Sequence, residues 1–550
     1  MILDAYCIPI KRAAMLVERK ESSGSSSSDM SATPAASAAS STSDVSQYPV
    51  HSLPIEGCVY RGEGNANLVV ALPSERKVIR LRKSACGAES SPEEEDCLRV
   101  RREVDFIRAV ISGFLGCYVC EPEILHCDQA EIARLSEKIR LDRPESRRGK
   151  DVVGGYATKF PDYTFLPEHL SEFSSKPTFC VEIKPKQGFI CKADRQFRKC
   201  PYCLTQYYKI HTGSTKAPSA YCPFDLFSGE TERMNRALAA LLHSPQNNFK
   251  IFKDGSVVYD EKVAGEESLR RIFKDWLSDE EEDPLEVFQE LTRYALTRPF
   301  DVDNEERVVR AEDQIREIEF EALPPSRLEP ELVQRAKKLL AKEEKECVLS
   351  GEKKSRPAKG SVLERILRMQ RLHRIGADAV AWVYAKFSAL LSDELIYADL
   401  VRTADASVYP EVHPEVVCVK NKQLSDGTVE DKISTSTSCE KNNNKQKSLA
   451  DSRDFGKNVS IEECLAILKS YLLFCTAKDC SILMAFQEVD KELSSDINPA
   501  HRINTSKGRS FLVNVRVLDL DMKKLESVKK HRRRDNDVLK ATINELEKKL

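Results

Sequence analysis

The sequence predicts a mixed α/β (α+β) chain in two lobes, a small N-terminal one and a larger C-terminal one. Three observations carry this. Two short apolar runs, 68–72 and 77–81, flank Pro73-Ser74-Glu75-Arg76 and read as a β-hairpin. Helical spacing follows, with Val100, Val104, Ile107 and Ile111 on one stripe and a second helix over 129–141 that must stop before Pro144. A third apolar run, Phe179-Cys180-Val181, then opens a strand that continues into Glu182-Ile183-Lys184-Pro185-Lys186-Gln187-Gly188-Phe189.

Taken in order, residues 1–50 are dominated by Ser, Ala and Thr and are expected to be a disordered tail. The N-terminal lobe is expected over 51–170 and the C-terminal lobe over 171–550. Within the latter, residues 278–283 are acidic, and about 326–360 is a mixed-charge, helix-forming insertion. Helical periodicity returns through Leu363, Leu367, Ile375 and Val380. Residues 420–457, rich in Lys, Asn and Ser, read as a flexible insertion. A helix over 461–474, a strand over 480–486 and a last strand over 511–520 complete the chain, without internal repeats.

Bulk properties exclude several classes. The 550 residues carry 85 Lys and Arg against 87 Asp and Glu, a net charge of −2, so no global field favours nucleic acid. No stretch approaches the ~20 apolar residues of a membrane span. Asp4 and the lack of a long apolar core argue against a secretory signal. Eighteen cysteines without regular spacing fit a reducing compartment, so the nucleus and cytoplasm are expected, and the chain is expected to be a monomer.

Two constellations carry chemistry. On an extended strand Glu182, Lys184 and Lys186 share one face, as either a solvated edge or a grip on a multiply charged anion beside a metal or nucleotide. Spacing does not decide between them. Cys200-Pro201-Tyr202-Cys203 is followed by Cys222 and preceded by Cys191, with His211 between. Such a set suits a structural tetrahedral Zn²⁺, with Cys191 or His211 as fourth ligand, or else consists of ordinary reduced cysteines. A redox role is disfavoured because no helix start is evident behind the pair.

The block Glu-Ile-Lys-Pro-Lys-x-Gly-Phe resembles the signature of the inositol-pentakisphosphate 2-kinase family. Further blocks resemble it in the same order: Tyr60-Arg61-Gly62-Glu63-Gly64-Asn65-Ala66-Asn67, Arg143-Pro144-Glu145-Ser146-Arg147, Asp225-Leu226-Phe227-Ser228-Gly229, Pro245-Gln246-Asn247-Asn248-Phe249, Ala477-Lys478-Asp479-Cys480-Ser481 and Val517-Leu518-Asp519-Leu520-Asp521-Met522-Lys523. The resemblance covers residues 57–270, 361–390 and 458–540. It implies a two-lobed inositol polyphosphate kinase fold, distantly kinase-like, using ATP and Mg²⁺. The implied reaction moves the γ-phosphate of ATP to the 2-hydroxyl of inositol 1,3,4,5,6-pentakisphosphate, giving inositol hexakisphosphate.

Site roles follow from the same resemblance. Arg61, Gly62, Glu63, Gly64, Asn65, Asn67, Arg80 and Glu182 would face the nucleotide, with Asp519 holding Mg²⁺. Asp479, Asp519 and Lys184 would be catalytic, Asp479 by accepting the proton of the attacking hydroxyl or orienting it. Arg147, Lys184, Lys186, Lys209, Asn247, Asn248, Asp479 and Lys523 would bind a substrate bearing about −8 to −10 charges, at roughly −1.5 to −2 per phosphate. Asp479 is expected to open a strand, and Asp521 to share a face with Asp519 on an extended chain.

This chain departs from the family pattern at Thr205, where relatives carry a substrate-contacting His, and at Ser527, where plant-like members carry Arg. The basic run 529–534 replaces a Tyr-Tyr-Lys-Leu type segment and reads as an added anion surface, a nuclear-import signal or a solvated helix end. Two rival readings are a catalytically weakened inositol polyphosphate-binding scaffold and a nucleic-acid-binding regulator. Asp479 and Asp519 argue against the first, and near-neutral charge against the second.

Overall fold

The computed structural model describes residues 48–85, 92–277, 283–300, 328–343, 347, 357–389, 391–404, 461–490, 497–506 and 508–549. Expectations for 1–47 and for the flexible insertion 420–457 lie outside these residues, as do most of the acidic segment 278–283 and parts of the insertion 326–360.

Two sheets organise the chain. The first comprises β1 (Val50–His51), β2 (Val59–Glu63), β3 (Asn67–Leu72), β4 (Lys77–Ala85), β5 (Glu123–Cys127), β6 (Lys150–Val152) and β7 (Tyr156–Pro161). Its order is β1-β5-β7-β4-β3-β2, with β6 on β4, and only β1–β5 is parallel. The predicted hairpin is β3–β4, whose Leu68, Val70, Ile79 and Leu81 are buried with Ile132, Leu135 and Ile139 of the helix Gln129–Ile139. Asp128 starts that helix by accepting from the amides of Ala130 and Glu131.

The other predicted stripe belongs to a helix that starts earlier, Glu93–Asp105, and runs on through a π-helical segment, Phe106–Ile111. Pro92 precedes it, and Glu93, Glu94, Glu95 and Asp96 fill its first turn, where the helix dipole favours carboxylates.

The second sheet comprises β8 (Phe179–Ile183), β9 (Phe249–Lys253), β10 (Ser256–Tyr259), β11 (Ser481–Glu488), β12 (Arg502–Asn504) and β13 (Ser510–Leu518), in the antiparallel order β10-β9-β8-β11-β13-β12. Register decides what this sheet presents. Phe249 opposes Ile183, Ile183 opposes Ile482, and Ser481 opposes Leu518. The start of β9, the end of β8, the start of β11 and the end of β13 therefore meet at one end of the sheet. Four separate blocks of the chain arrive there together.

Helices cover the sheet, and the largest apolar core lies between them, drawing on Phe179, Val181, Ile183, Phe249, Ile482, Met484 and Val515. The expected 461–474 helix runs further, Ile461–Asp479. Cys475, Thr476 and Ala477 are buried in its last turn, which keeps the chain helical until one residue before β11. Asp479 therefore ends a helix and does not open a strand, which corrects the expectation above.

Candidate active site

Directly after Ile183 the chain leaves the sheet, and the Lys184 Nζ donates to Asp519 Oδ2 at 2.6 Å and lies 3.9 Å from Glu182 Oε1. The Ser481 hydroxyl sits between both carboxylates, 3.0 Å from Glu182 Oε1 and 2.9 Å from Asp519 Oδ2. Lys250 approaches Glu182 to 3.5 Å from the neighbouring strand. Glu182 thus supports Lys184 and Ser481 from below.

Asp519 and Lys186 both hold left-handed backbone angles, each with φ +61°, which non-glycine residues rarely adopt. The turn at Asp519 breaks the extended chain, so Asp519 and Asp521 do not share a strand face, contrary to expectation. Asp519 meets Lys184, while Asp521 pairs with the Arg80 guanidinium and accepts from Asn67 Nδ2 at 3.2 Å. Arg80 and Asn67 belong to the first sheet, so this carboxylate spans the gap between sheets.

Arg80 also lies 4.0 Å from Glu103 of the Glu93–Asp105 helix. A strand cation held by a helix acid is how kinases set the group that grips ATP phosphates. The sequence reading missed Glu103; an acid on the inward stripe of that helix was the available signal.

Asp479 lies across the site, 3.2 Å from Lys523. Burial would raise its carboxyl, but Lys523, Lys478 and Lys186 hold it below the ordinary value. That compensation matters because the C-terminal end of a helix disfavours negative charge. Burial would likewise raise Asp519, yet Lys184 and Arg80 bring it down to about 2. Both aspartates are ionised near neutrality. Lys186 is pushed down to about 8, first by burial and then by Lys184 and Lys209, with Asp479 opposing. Lys209 is lowered by burial and by Arg534, against Glu261. Lys184 and Lys209 thus act on Lys186, and Arg534 on Lys209, and cations crowded in this way are complementary to a polyanion.

A second missed residue holds this wall. Gln370 is fully buried, accepts from the Gly188 amide at 2.7 Å, and donates to the carbonyls of Lys186 at 2.9 Å and Ala477 at 3.4 Å. One amide thereby fixes the lysine loop against the helix end that carries Asp479. Gly188 itself is required, because a Cβ there would lie 2.2 Å from the Phe227 ring.

Some expected residues have protein partners of their own. The Glu63 side chain is 1% exposed, between Lys83 and Arg143. Although burial raises its carboxyl, Arg143 and Lys83 hold it low. Arg61 pairs with Asp162 and Thr164. Through these partners both side chains brace the strand. Gly62 and Gly64 have open space above them and lack left-handed φ, so they admit close approach without backbone strain. Asn65 accepts from Lys150 at 3.1 Å.

On the substrate side, Asn248 is buried with its amide on the Tyr202 hydroxyl at 2.7 Å, so its side chain is not the free donor expected. Its carbonyl instead accepts from the Lys184 amide at 2.8 Å. Asn247 is exposed, as is Arg147 on the turn Glu145–Arg147. Lys209 donates to Gln246 at 2.5 Å. Thr205 turns its hydroxyl onto its own helix, at the Pro201 carbonyl, and offers the site nothing.

A separate cluster gathers the thiols of Cys200, Cys203, Cys222 and Cys347, whose ligand atoms all lie within 4.8 Å of one another. The fourth member is Cys347, from the mixed-charge insertion, and neither expected candidate joins. Cys191 lies with Asp194 and His373, and His211 bonds Glu545 at 3.0 Å. A helix start does stand behind the pair, correcting another expectation: Cys200 caps Pro201–His211 by accepting from the Cys203 amide. Hydrogen bonds from the other three thiols bring Cys347 well below an ordinary thiol, while burial raises Cys200. Four converging sulfurs are a donor set that would suit a tetrahedral metal ion such as zinc.

Among the described residues no helix is long and apolar enough to cross a membrane. A family model described as inositol-pentakisphosphate 2-kinase matches residues 60–537. Similar proteins include the inositol-pentakisphosphate 2-kinase of Danio rerio, 38% identical over 212 residues, which are 36% of this chain and 44% of the relative. That of Drosophila melanogaster is 27% identical over 317 residues, 39% of this chain and 51% of the relative. That of Arabidopsis thaliana is 24% identical over 523 residues, 88% of this chain and 92% of the relative. The chain spans about half the length of the first two relatives. With 60–537 matched, and with the acids and lysines of the separate blocks meeting at one end of one sheet, the chain belongs to the inositol-pentakisphosphate 2-kinase family.

Proposed function

We propose that this chain transfers the γ-phosphate of ATP to the 2-hydroxyl of inositol 1,3,4,5,6-pentakisphosphate, giving inositol hexakisphosphate. The observation that carries this is the contact of Asp519 with Lys184 and of Asp479 with Lys523, beside Lys186, whose charge burial and then Lys184 and Lys209 disfavour. Phosphoryl transfer asks the protein for positioning and charge compensation more than for covalent chemistry.

Each part has a role. Arg80 lies where it can hold ATP phosphates, with Glu103 and Asp521 fixing its direction. Asp519 offers hard, ionised oxygens that suit Mg²⁺, which would neutralise phosphate charge in the nucleotide. Lys184, beside Asp519, meets the transferred group. Asp479 accepts the hydrogen bond of the attacking hydroxyl and takes its proton as the new O–P bond forms. Its low proton affinity suits orientation first and proton transfer late. Lys186, Lys209 and Lys523 bind the remaining phosphates, with the exposed Arg147 and Asn247 as further donors.

We further assign nucleotide binding to the lobe of residues 51–170 and substrate binding to 171–550, and take the working unit to be a monomer of the nucleus and cytoplasm. The cluster Cys200, Cys203, Cys222 and Cys347 holds one structural zinc. Incubation of the full chain with ATP, Mg²⁺ and the pentakisphosphate, with anion-exchange separation, should yield hexakisphosphate. Absence of that product overturns the proposal.

A further inference from the structure

The chain's last helix, Glu526–Glu547, carries a basic run that the reaction above does not use. It crosses the Pro201–His211 helix, burying Val538 with Leu204 and Tyr207. At its start His531 accepts from or donates to the Tyr471 hydroxyl at 3.0 Å and lies 3.7 Å from the Cys475 sulfur, one turn before Asp479. Burial, then Lys478, drives its imidazole down to about 3, with Asp479 opposing and Lys523 adding to the fall. This part of the helix therefore stands within the field of the catalytic carboxylate.

One turn further on, the Arg534 guanidinium rests 5.3 Å from the centre of the Tyr208 ring, beside Lys209. At ~100° per residue, Ser527, His531 and Arg534 fall on one stripe of the helix, while Arg533 points elsewhere. That stripe runs from the Asp479 end of the site to the Lys209 end. Arg534 is exposed, and among the described residues no carboxylate pairs with it. Stacking on Tyr208 holds a forked, permanently charged donor next to a lysine that it already depresses.

We propose that Arg534 is a specificity-determining residue of the polyphosphate site, binding the outermost phosphate of the substrate jointly with Lys209. The proposal rests on the function inferred above. The physical argument is economy of charge: burial and Arg534 together depress Lys209, Glu261 offsets them only in part, and a phosphate dianion bridging the two cations relieves what remains. Thr205 and Ser527, on the two crossing helices, carry no charge, which leaves this phosphate to Arg534.

The test is calorimetric binding of inositol 1,3,4,5,6-pentakisphosphate to the full-length protein without ATP, together with steady-state kinetics. Arg534→Gln should raise Kd and KM for the pentakisphosphate about 5- to 10-fold, the upper part of the range of an ordinary hydrogen bond, as suits an exposed guanidinium. Its KM for ATP and its kcat should stay within about 2-fold. Arg534→Lys should recover most of the loss, and Arg533→Gln should bind like wild type. A Kd for Arg534→Gln within 2-fold of wild type overturns the proposal, and so does an equal loss in Arg533→Gln, which would reveal only a diffuse field. Wild-type binding and turnover with an unaffected Arg534→Gln sinks this inference alone. Failure of the wild type to bind the pentakisphosphate sinks it together with the function on which it rests.

Discussion

Lys184 Nζ lies 2.6 Å from Asp519 Oδ2, although 335 residues separate the two in the chain. The contact exists because β8 ends and β11 begins at the same edge as the end of β13. In the proposed reaction it joins the cation assigned to the transferred phosphate to the carboxylate suited to Mg²⁺. Asp519→Asn should lower kcat by roughly 10²-fold or more, since a positioned charge is lost from the transition state. Asp479→Asn should do likewise. Pentakisphosphate binding should survive in both, because removing negative charge does not weaken a polyanion's hold. Near-normal single-turnover rates in either variant would refute its assigned role.

The lysines predict a pH dependence. Lys186 is depressed to about 8, so in the free protein its charge is present below that pH and lost above it. The kcat/KM for the pentakisphosphate, which reports the free enzyme, should therefore fall as pH rises through about 8. Lys186→Arg keeps its charge and should move that limb to higher pH. An unchanged limb in the variant would assign the titration to another group.

Gln370 predicts an effect without a substrate contact. Gln370→Leu leaves the Gly188 amide and the Lys186 carbonyl without their buried partner, at about 1–3 kcal/mol each if unrelieved. Thermal stability should fall, and the pentakisphosphate KM should rise while the ATP KM stays put. Equal changes in both KM values would mean a general loss of structure.

Glu63 separates a brace from a nucleotide contact. Glu63→Gln strips a buried carboxylate from Lys83 and Arg143, a type of loss that costs roughly 3–5 kcal/mol. The transition midpoint should drop well before the ATP KM changes at permissive temperature. A large ATP KM effect with unaltered stability would restore the nucleotide role.

The thiol cluster predicts about one zinc per chain by elemental analysis of protein prepared without chelator. Cys347→Ser should lower zinc content, whereas His211→Ala should leave it alone. The reverse pattern would return the fourth position to His211. Loss of zinc should also loosen the start of the Pro201–His211 helix, where Cys200 is the cap, and so weaken the Lys209 contact.

Much was legible in the chain itself. Period-2 and period-3.6 patterns marked the hairpin β3–β4, the strand β8 and the helices over 129–139, 362–371 and 377–387, because a side chain's burial there depends on local spacing, whereas the break between the last two, which holds Ile375, was not marked. The identities of Lys184, Lys186, Asp479, Asp519 and Lys523 were legible in ordered blocks. Boundaries were less so: the helix ending at Asp479 outran its periodicity because Cys475 and Ala477 are buried by tertiary packing, a force no short window contains.

What each side chain does was decided only by tertiary structure. Glu63 lies in a block that reads as a nucleotide loop, yet Arg143 and Lys83 arrive from elsewhere and bury it. Cys347 was not recognisable as a partner of Cys200, because its approach depends on the fold between them and on no fixed spacing. Gln370 and Glu103 carry no motif at all, and Arg534 stands out only as part of the basic run 529–534. The sequence determined which charges and thiols this protein possesses, since those are properties of residues. The structure decided which of them meet, since desolvation and Coulomb interaction depend on distance in space and are blind to distance along the chain.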